Sequence, residues 1–200
     1  MHFIERNIIP PKFVYADPIE TGNLLGSVLA EKIKAGTKNI VIILGSSNSA
    51  VALFRTQALT YRALQASESK PLNLTLIELD AWNVDNETLS KLNCCIDENI
   101  SFGQKTIVMC ANDAIMDEID RSLPEKYNQY VELIGCDGSR RQDGRLLLDT
   151  TQSGKATVDI NPREQGEIAA DIVNVELIRT NSKSSGYHVR RVKQKLLRRN

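Results

Sequence analysis

Three apolar segments between Lys105 and Pro162 each end in polar residues, and this repetition constrains the fold more than any other feature of the 200-residue chain. Thr106-Ile107-Val108-Met109-Cys110 runs into Ala111-Asn112-Asp113. Tyr130-Val131-Glu132-Leu133-Ile134-Gly135-Cys136 runs into Asp137-Gly138, and Ala156-Thr157-Val158-Asp159 into Asn161-Pro162. Parallel strands covered on both faces read as near-continuous apolar runs, and in open α/β sheets ligands sit beyond the carboxyl ends of the strands. Asn112 and Asp137 are therefore expected to face one ligand. Gly138 permits a tight exit from its strand, and Asn161-Pro162 ahead of Glu164-Gln165 marks a helix start. Taken singly, Asn112 and Asn161 also read as plain helix caps.

The same alternation runs through the rest of the chain. Phe13 to Ala16 is expected as a short strand, and Asp17 as the cap of a helix whose face is Ile19, Leu24, Leu25, Val28, Leu29 and Ile33, ending near Gly36. Ile40 to Leu44 is an unbroken strand-length run. Gly45-Ser46-Ser47-Asn48-Ser49 is a loop, Ala50 to Ala66 a helix, Leu72 to Leu79 a strand and Asn86 to Ile96 a helix. This order predicts an α/β fold with right-handed crossovers, a mostly parallel sheet and helices on both faces.

With those elements placed, the chain resembles the type I periplasmic sugar-binding proteins, the ribose- and galactose-type receptors of ABC transporters, and more distantly the effector domains of lactose-repressor-type regulators. The resemblance lies in Cys110-Ala111-Asn112-Asp113-Ala114, in Ile134-Gly135-Cys136-Asp137-Gly138, and in Gly154-Lys155-Ala156-Thr157-Val158-Asp159-Ile160-Asn161-Pro162 followed by Arg163-Glu164-Gln165-Gly166. Tyr15-Ala16-Asp17-Pro18-Ile19-Glu20-Thr21-Gly22 is similar to the crossing from the first lobe into the second. The likeness covers about residues 10 to 178. It implies a type I second lobe over 1–178, with 1–16 as a remnant of the first lobe and the crossover, most of the first lobe being absent.

The resemblance also implies a function, monosaccharide binding as the substrate-binding component of a sugar transporter or a truncated form of one, with a transporter permease as a possible partner. The alternative is the effector-binding domain of a transcription regulator. It places the ligand on Arg55, Trp82, Asn112, Asp137 and the position of Ile160. An indole face suits the C–H face of a sugar ring, and the polar three divide donors and acceptors among the hydroxyls. Bland readings stand beside these: a solvated helix arginine for Arg55, a core or hinge tryptophan for Trp82. Ile160 replaces a frequent Gln and Cys136 a frequent aromatic, so one wall of the site is less polar than the pattern, and a hydroxyl left unpaired there costs about 1–3 kcal/mol.

Catalysis finds little support. The 45–49 loop lacks a P-loop lysine, a dinucleotide spacing and a hydrolase elbow, although a phosphosugar isomerase or deaminase uses such a loop. His2 and His188 are the only histidines, outside the matched region, so no catalytic triad, histidine-based metal site or cofactor is expected. Asp80, Asp85, Asp113 and Asp137 near strand ends leave a carboxylate pair open. Lys plus Arg and Asp plus Glu both count 25, which gives no field for nucleic acid or membrane. No secretory signal is read at the amino terminus, which points to the cytoplasm, whereas the family resemblance points to the periplasm. Cys110 and Cys136 end neighbouring strands and are expected as buried free thiols rather than a bridge.

Two surface expectations complete the reading. The face vacated by a first lobe, around Phe3, Ile4, Ile8, Ile9, Phe13, Ile168 and Ile172, is expected to be apolar and to drive homo-oligomerisation. Residues 179–200 carry Lys183, Arg190, Arg191, Lys193, Lys195, Arg198 and Arg199, with Val189, Val192, Leu196 and Leu197 as the stripe of a short basic helix. The segment reads as a solvated basic tail or as a remnant of the final return to the first lobe.

Overall fold

A computed structural model describes residues 13–46, 48–68, 71–79, 82–178 and 189–199. The expectations for Phe3, Ile4, Ile8, Ile9, Ser47, Asp80, Lys183, His2 and His188 lie outside those residues. The elements are β1 (Phe13–Tyr15), α1 (Pro18–Lys34), β2 (Asn39–Leu44), α2 (Ala50–Ser67), β3 (Asn73–Glu78), α3 (Asn86–Ile100), β4 (Thr106–Cys110), α4 (Asp113–Ser122), β5 (Val131–Ile134), β6 (Gly154–Asp159), α5 (Pro162–Ile178), β7 (Val189–Arg191) and β8 (Lys195–Arg198).

Six strands form one sheet in the order β3-β2-β4-β5-β6-β8, parallel except for β8. The two most hydrophobic strands, β2 and β4, lie next to each other inside it, which is why Ile40–Ile43 and Thr106–Cys110 carry apolar side chains on both faces. On one face, Ile40, Ile42, Ile107, Met109 and Ile134 pack under α1 and α2 with Leu25, Leu29 and Leu59. On the other, Val41, Ile43, Val108 and Leu133 pack under α3 and α4 with Leu92, Ile96, Met116 and Ile119. Two layers of helix thus sandwich the sheet. Cys110 belongs to the second cluster and Cys136 to the first, so the sheet itself separates the thiols, and both are free and buried.

Direction of winding sets the position of the site. From β2 the chain moves outward through α2 to β3, then crosses back through α3 to β4 and continues to β5 and β6. The switch point therefore lies between β2 and β4, where the following loops diverge and leave a crevice. The helices that flank it are held by side-chain caps. Asp17 accepts from Ile19 N at 2.9 Å, Asp85 from Thr88 N at 2.7 Å and Asn112 from Ile115 N at 2.8 Å.

Several expected features differ. Ile19 of the α1 stripe is 51% exposed, while Leu25, Val28 and Leu29 are buried; at 3.6 residues per turn Ile19 lies about 120° round the helix from Leu25, on the rim of the stripe. The carboxyl-terminal segment is not a solvated tail or a basic helix over its described part. β8 pairs antiparallel with β6, Thr157 opposite Leu197 and Val158 opposite Leu196, and β7 pairs parallel with β1. Val192 is buried, and Arg198 makes a bidentate pair to Glu31 at 2.6 and 2.7 Å. A charged sequence serves here because β8 is a sheet edge, where Lys and Arg discourage further pairing. α5 behaves unlike the other four helices. From Pro162 to Ile172 none of its residues is buried, and it lies along β1 outside the main sheet.

Candidate functional site

Arg55 is drawn into the crevice by the way α2 docks on α1. Gly22 and Gly26, four residues apart on α1, face α2. A Cβ on Gly22 would lie 2.3 Å from the Arg55 carbonyl oxygen, and one on Gly26 2.5 Å from Arg62 Cβ. This close crossing turns Arg55 inward, and its side chain is only 12% exposed. Nη1 donates to the Ala111 carbonyl at 2.7 Å, at the end of β4, and Nη2 lies 3.6 Å from Asp137 Oδ1, beyond β5. The first contact is a hydrogen bond. The second is an ion pair too long for one, so the Asp137 carboxylate keeps its acceptor capacity. The solvated-arginine alternative is thereby set aside.

Trp82 packs against the loop after β2. A Cβ on Gly45 would come within 2.4 Å of its Cη2, so the ring needs glycine there, and the residue remains 39% exposed. Asn112 caps α4 through Oδ1, so its Nδ2 is not used by the cap. The cap and ligand readings of this side chain are thus compatible. Ile160 is half-buried and packs on the apolar cluster beneath α1 and α2. Its side chain can make no polar contact. Three of the four described non-glycine residues with positive φ are here: Trp82 at 62°, Asp137 at 102° and Asn161 at 52°. Such conformations cost about 1–3 kcal/mol each and collect where a fold holds side chains for a purpose.

A residue that sequence reasoning placed only among strand-end acids ties this edge together. Asp113 is fully buried. Its Oδ1 accepts from the Thr157 hydroxyl at 2.6 Å, its Oδ2 from Ser139 N at 2.7 Å, and its own N donates to the Cys136 carbonyl at 2.7 Å. Thr157 accepts in turn from Gly138 N at 3.3 Å. One carboxyl group thus fastens the loop after β5, which carries Asp137, to β4 and β6. Gly135 makes room for it, since a Cβ there would sit 2.1 Å from Oδ1. Burial is the main influence on Asp113 and raises its pKa to about 7, against the lowering effect of the Thr157 and Ser139 hydrogen bonds; the nearby Asp137 charge raises it further. The available signal was Gly135 and Thr157 on flanking strands, which means something only once the strands are paired.

Among the described residues, no group of three or more His, Cys, Asp or Glu side chains is arranged to hold a metal ion. A groove of about 570 Å³ between α2 and β3, lined by Leu53, Thr60, Leu64, Leu76 and Glu78, adjoins this edge through Gly45 and Ser46 of the loop after β2.

Comparison with known proteins agrees with this architecture. No family model and no curated protein sequence matches the chain. Solved structures do. An ABC-transporter periplasmic solute-binding protein from Actinobacillus succinogenes with bound D-allose is 20% identical, matching 94% of this chain and 62% of its own with a TM-score of 0.62. A glucose-galactose-binding protein from Geobacillus stearothermophilus is 19% identical, matching 98% of this chain and 65% of its own at 0.64. A LacI transcriptional regulator from Lactobacillus brevis is 17% identical, matching 96% and 66% at 0.61. The chain therefore has the type I periplasmic-binding-protein-like fold, and it spans less than two thirds of the length of these structures.

Proposed function

We propose that this chain is the ligand-binding lobe of a monosaccharide receptor, a binding protein rather than an enzyme, that closes on a sugar together with another lobe. The observation that carries the reading is the convergence of Arg55 and Asp137 at the switch point, 3.6 Å apart although they come from a helix and a strand end 82 positions apart in sequence. Beside them Trp82 offers an exposed ring face and Asn112 an amide donor. A guanidinium, a carboxylate, an amide and an aromatic face supply donors, acceptors and an apolar plate, the set that a ring bearing several hydroxyls requires. Association of the chain with sugar-transporter machinery follows the same reading and is supported by the neighbours that bind sugars.

α5, β1 and β7 lie outside the main sheet. In this reading they are the elements that meet the second lobe, and closure of the two lobes buries the sugar. A lone lobe then binds weakly. Trp82 is the only tryptophan, so its fluorescence reports directly on the site. Titration with pentoses and hexoses is expected to shift the emission with half-saturation no tighter than roughly millimolar, and Asp137→Ala is expected to abolish the shift. A micromolar sugar for the chain alone would overturn the half-clamp reading, and no response to any sugar at about 100 mM would overturn the site.

The regulator reading shares this site and is supported by the LacI match. The two diverge in location and partner: association with a transporter permease supports the first, and co-purification of the natural full-length protein with operator DNA the second.

A further inference from the structure

β3 is the outer strand of the sheet, and α2 packs on α1 and β2, which leaves a trough between the helix and β3. Side chains alternate along β3, so Leu76 and Glu78 turn toward α2 while Ile77 enters the core under α3. The resulting groove holds about 570 Å³, within the roughly 300–1,000 Å³ of small-molecule sites. Along α2 it extends from Ala52 to Leu64, about 18 Å at the rise of a helix. Leu53, Tyr61, Leu64 and Leu76 on its walls are each 51 to 61% exposed. The end of the groove nearest the sugar site is more polar, with Ser46 and with Glu78, which pairs in register with Leu44 just before Gly45. Gly45, Ala52 and Thr56 line both the groove and the small cavity lined by Arg55 and Ala111. The two spaces therefore share a wall, and Trp82 packs on it at Gly45.

We infer that the groove is the second part of the ligand site, taking the apolar aglycone of a neutral glycoside whose sugar lies against Trp82, Arg55 and Asp137. The assignment rests on the sugar reading of that site and adds what the sugar carries. Continuity is the first reason. A substituent leaving the ring beside Trp82 passes Gly45, which has no side chain and no room for one, and Ser46, and enters the groove. Polarity is the second. The groove surface is mostly hydrocarbon, so a further sugar would leave hydroxyls without partners there, whereas an alkyl or aryl group has none to satisfy. The two charged residues of α2 are directed elsewhere, Arg55 to Ala111 and Asp137 and Arg62 to Asn23 of α1. Charge is the third. The Glu78 carboxylate stands where the head of a fatty acid or another anionic amphiphile would lie and repels it. What remains is a neutral head, a sugar, joined to an apolar group. Glu78 also supplies an acceptor for a hydroxyl at the junction.

Matched methyl and hexyl β-glycosides of glucose, galactose and ribose, kept below micelle formation, test the assignment on the full chain. Trp82 emission reports affinity, and the Leu64 and Leu76 methyl resonances report where the chain lies. Each buried methylene contributes a factor of about four, so the hexyl glycoside of the preferred sugar is expected to bind about 30-fold or more tighter than its methyl counterpart. Only the hexyl compound is expected to shift the two leucines. Leu64→Gln is expected to reduce the hexyl-to-methyl ratio to a few-fold. Thr60→Phe, which fills the groove midway, is expected to do the same and supplies the readout if Leu64→Gln does not fold. Asp137→Ala is expected to weaken both glycosides. Equal affinities for the two, with binding still dependent on Asp137, would overturn the aglycone groove and leave the sugar reading standing. A hexyl gain untouched by Leu64→Gln and Thr60→Phe would do the same. Hexyl binding undiminished by Asp137→Ala, or no response to any hexyl glycoside at about 10 mM, would overturn both.

Discussion

Replacing Asp113 by asparagine removes the one strongly raised carboxyl group of the site edge while keeping its shape. In the fold Asp113 titrates near 7, against 3.8 for an ordinary aspartate. Below about pH 4 both folded and unfolded chains hold the proton, and the group does not affect stability. Between about 4 and 7 the folded state keeps a proton that the unfolded chain has released, so stability falls as pH rises; above about 7 the loss is complete. A gap of about three pH units at about 1.4 kcal/mol each makes the full effect about 4 kcal/mol. Asparagine lacks this titration. It also places an amide where an oxygen accepted, which the Thr157 hydroxyl accommodates by reversing its role, at a pH-independent cost of about 1–2 kcal/mol. Urea denaturation of both proteins from pH 4 to 8 isolates the group. The variant is expected to be the less stable protein at pH 4 and to gain about 2–4 kcal/mol relative to wild type by pH 7.5. A stability difference that is flat across this range, or that changes in the opposite direction, would refute the assignment of Asp113 as a buried, proton-binding tie between the loops.

Other consequences are open to similar tests. Gly22→Ala forces a methyl group into the Arg55 carbonyl and is expected to cost about 1–3 kcal/mol in urea denaturation, with reduced burial of Arg55. Truncation before Val189 removes β7 and β8, leaves β6 as a bare edge and uncovers Val158; it is expected to abolish the cooperative thermal transition, whereas loss of a mere tail would leave the transition unchanged. In a clamp completed with a first lobe of the same fold type, Asp137→Ala is expected to lose about 1.5–3 kcal/mol of sugar affinity, more than Trp82→Phe, because a charged hydrogen-bond partner outweighs an exchange of rings. Calorimetry showing equal and negligible losses would remove both residues from the site.

What the sequence revealed, and what it concealed, follows the range of the forces involved. β2 and β4 were legible because strands buried on both faces must be apolar throughout, and the caps Asp17 and Asn112 because capping is a contact over two or three residues. Asn112 and Asp137 could be placed at one edge from strand order alone. β8 could not be recognised: Lys195-Leu196-Leu197-Arg198 has no alternation, and it becomes a strand through its pairing with Ala156–Asp159 and the Arg198–Glu31 bridge, over 160 residues away in sequence. The inward turn of Arg55 was implied only by the resemblance, since it depends on Gly22 and Gly26 of another helix, and the burial of Asp113 was hidden, since it depends on Gly135 and Thr157 outside its own segment. Each is a tertiary fact, invisible to periodicity.

The most direct test of sugar binding at the switch point is a heteronuclear NMR titration of the isolated chain with pentoses and hexoses at tens of millimolar. The account predicts fast-exchange shifts confined to the Trp82 indole N–H, the Asn112 side-chain amide, the Arg55 Nε–H and the backbone of Asp137 and Gly138, lost in Asp137→Ala. Shifts that instead trace the α2–β3 groove, or no sugar-dependent shift at these groups, would contradict it.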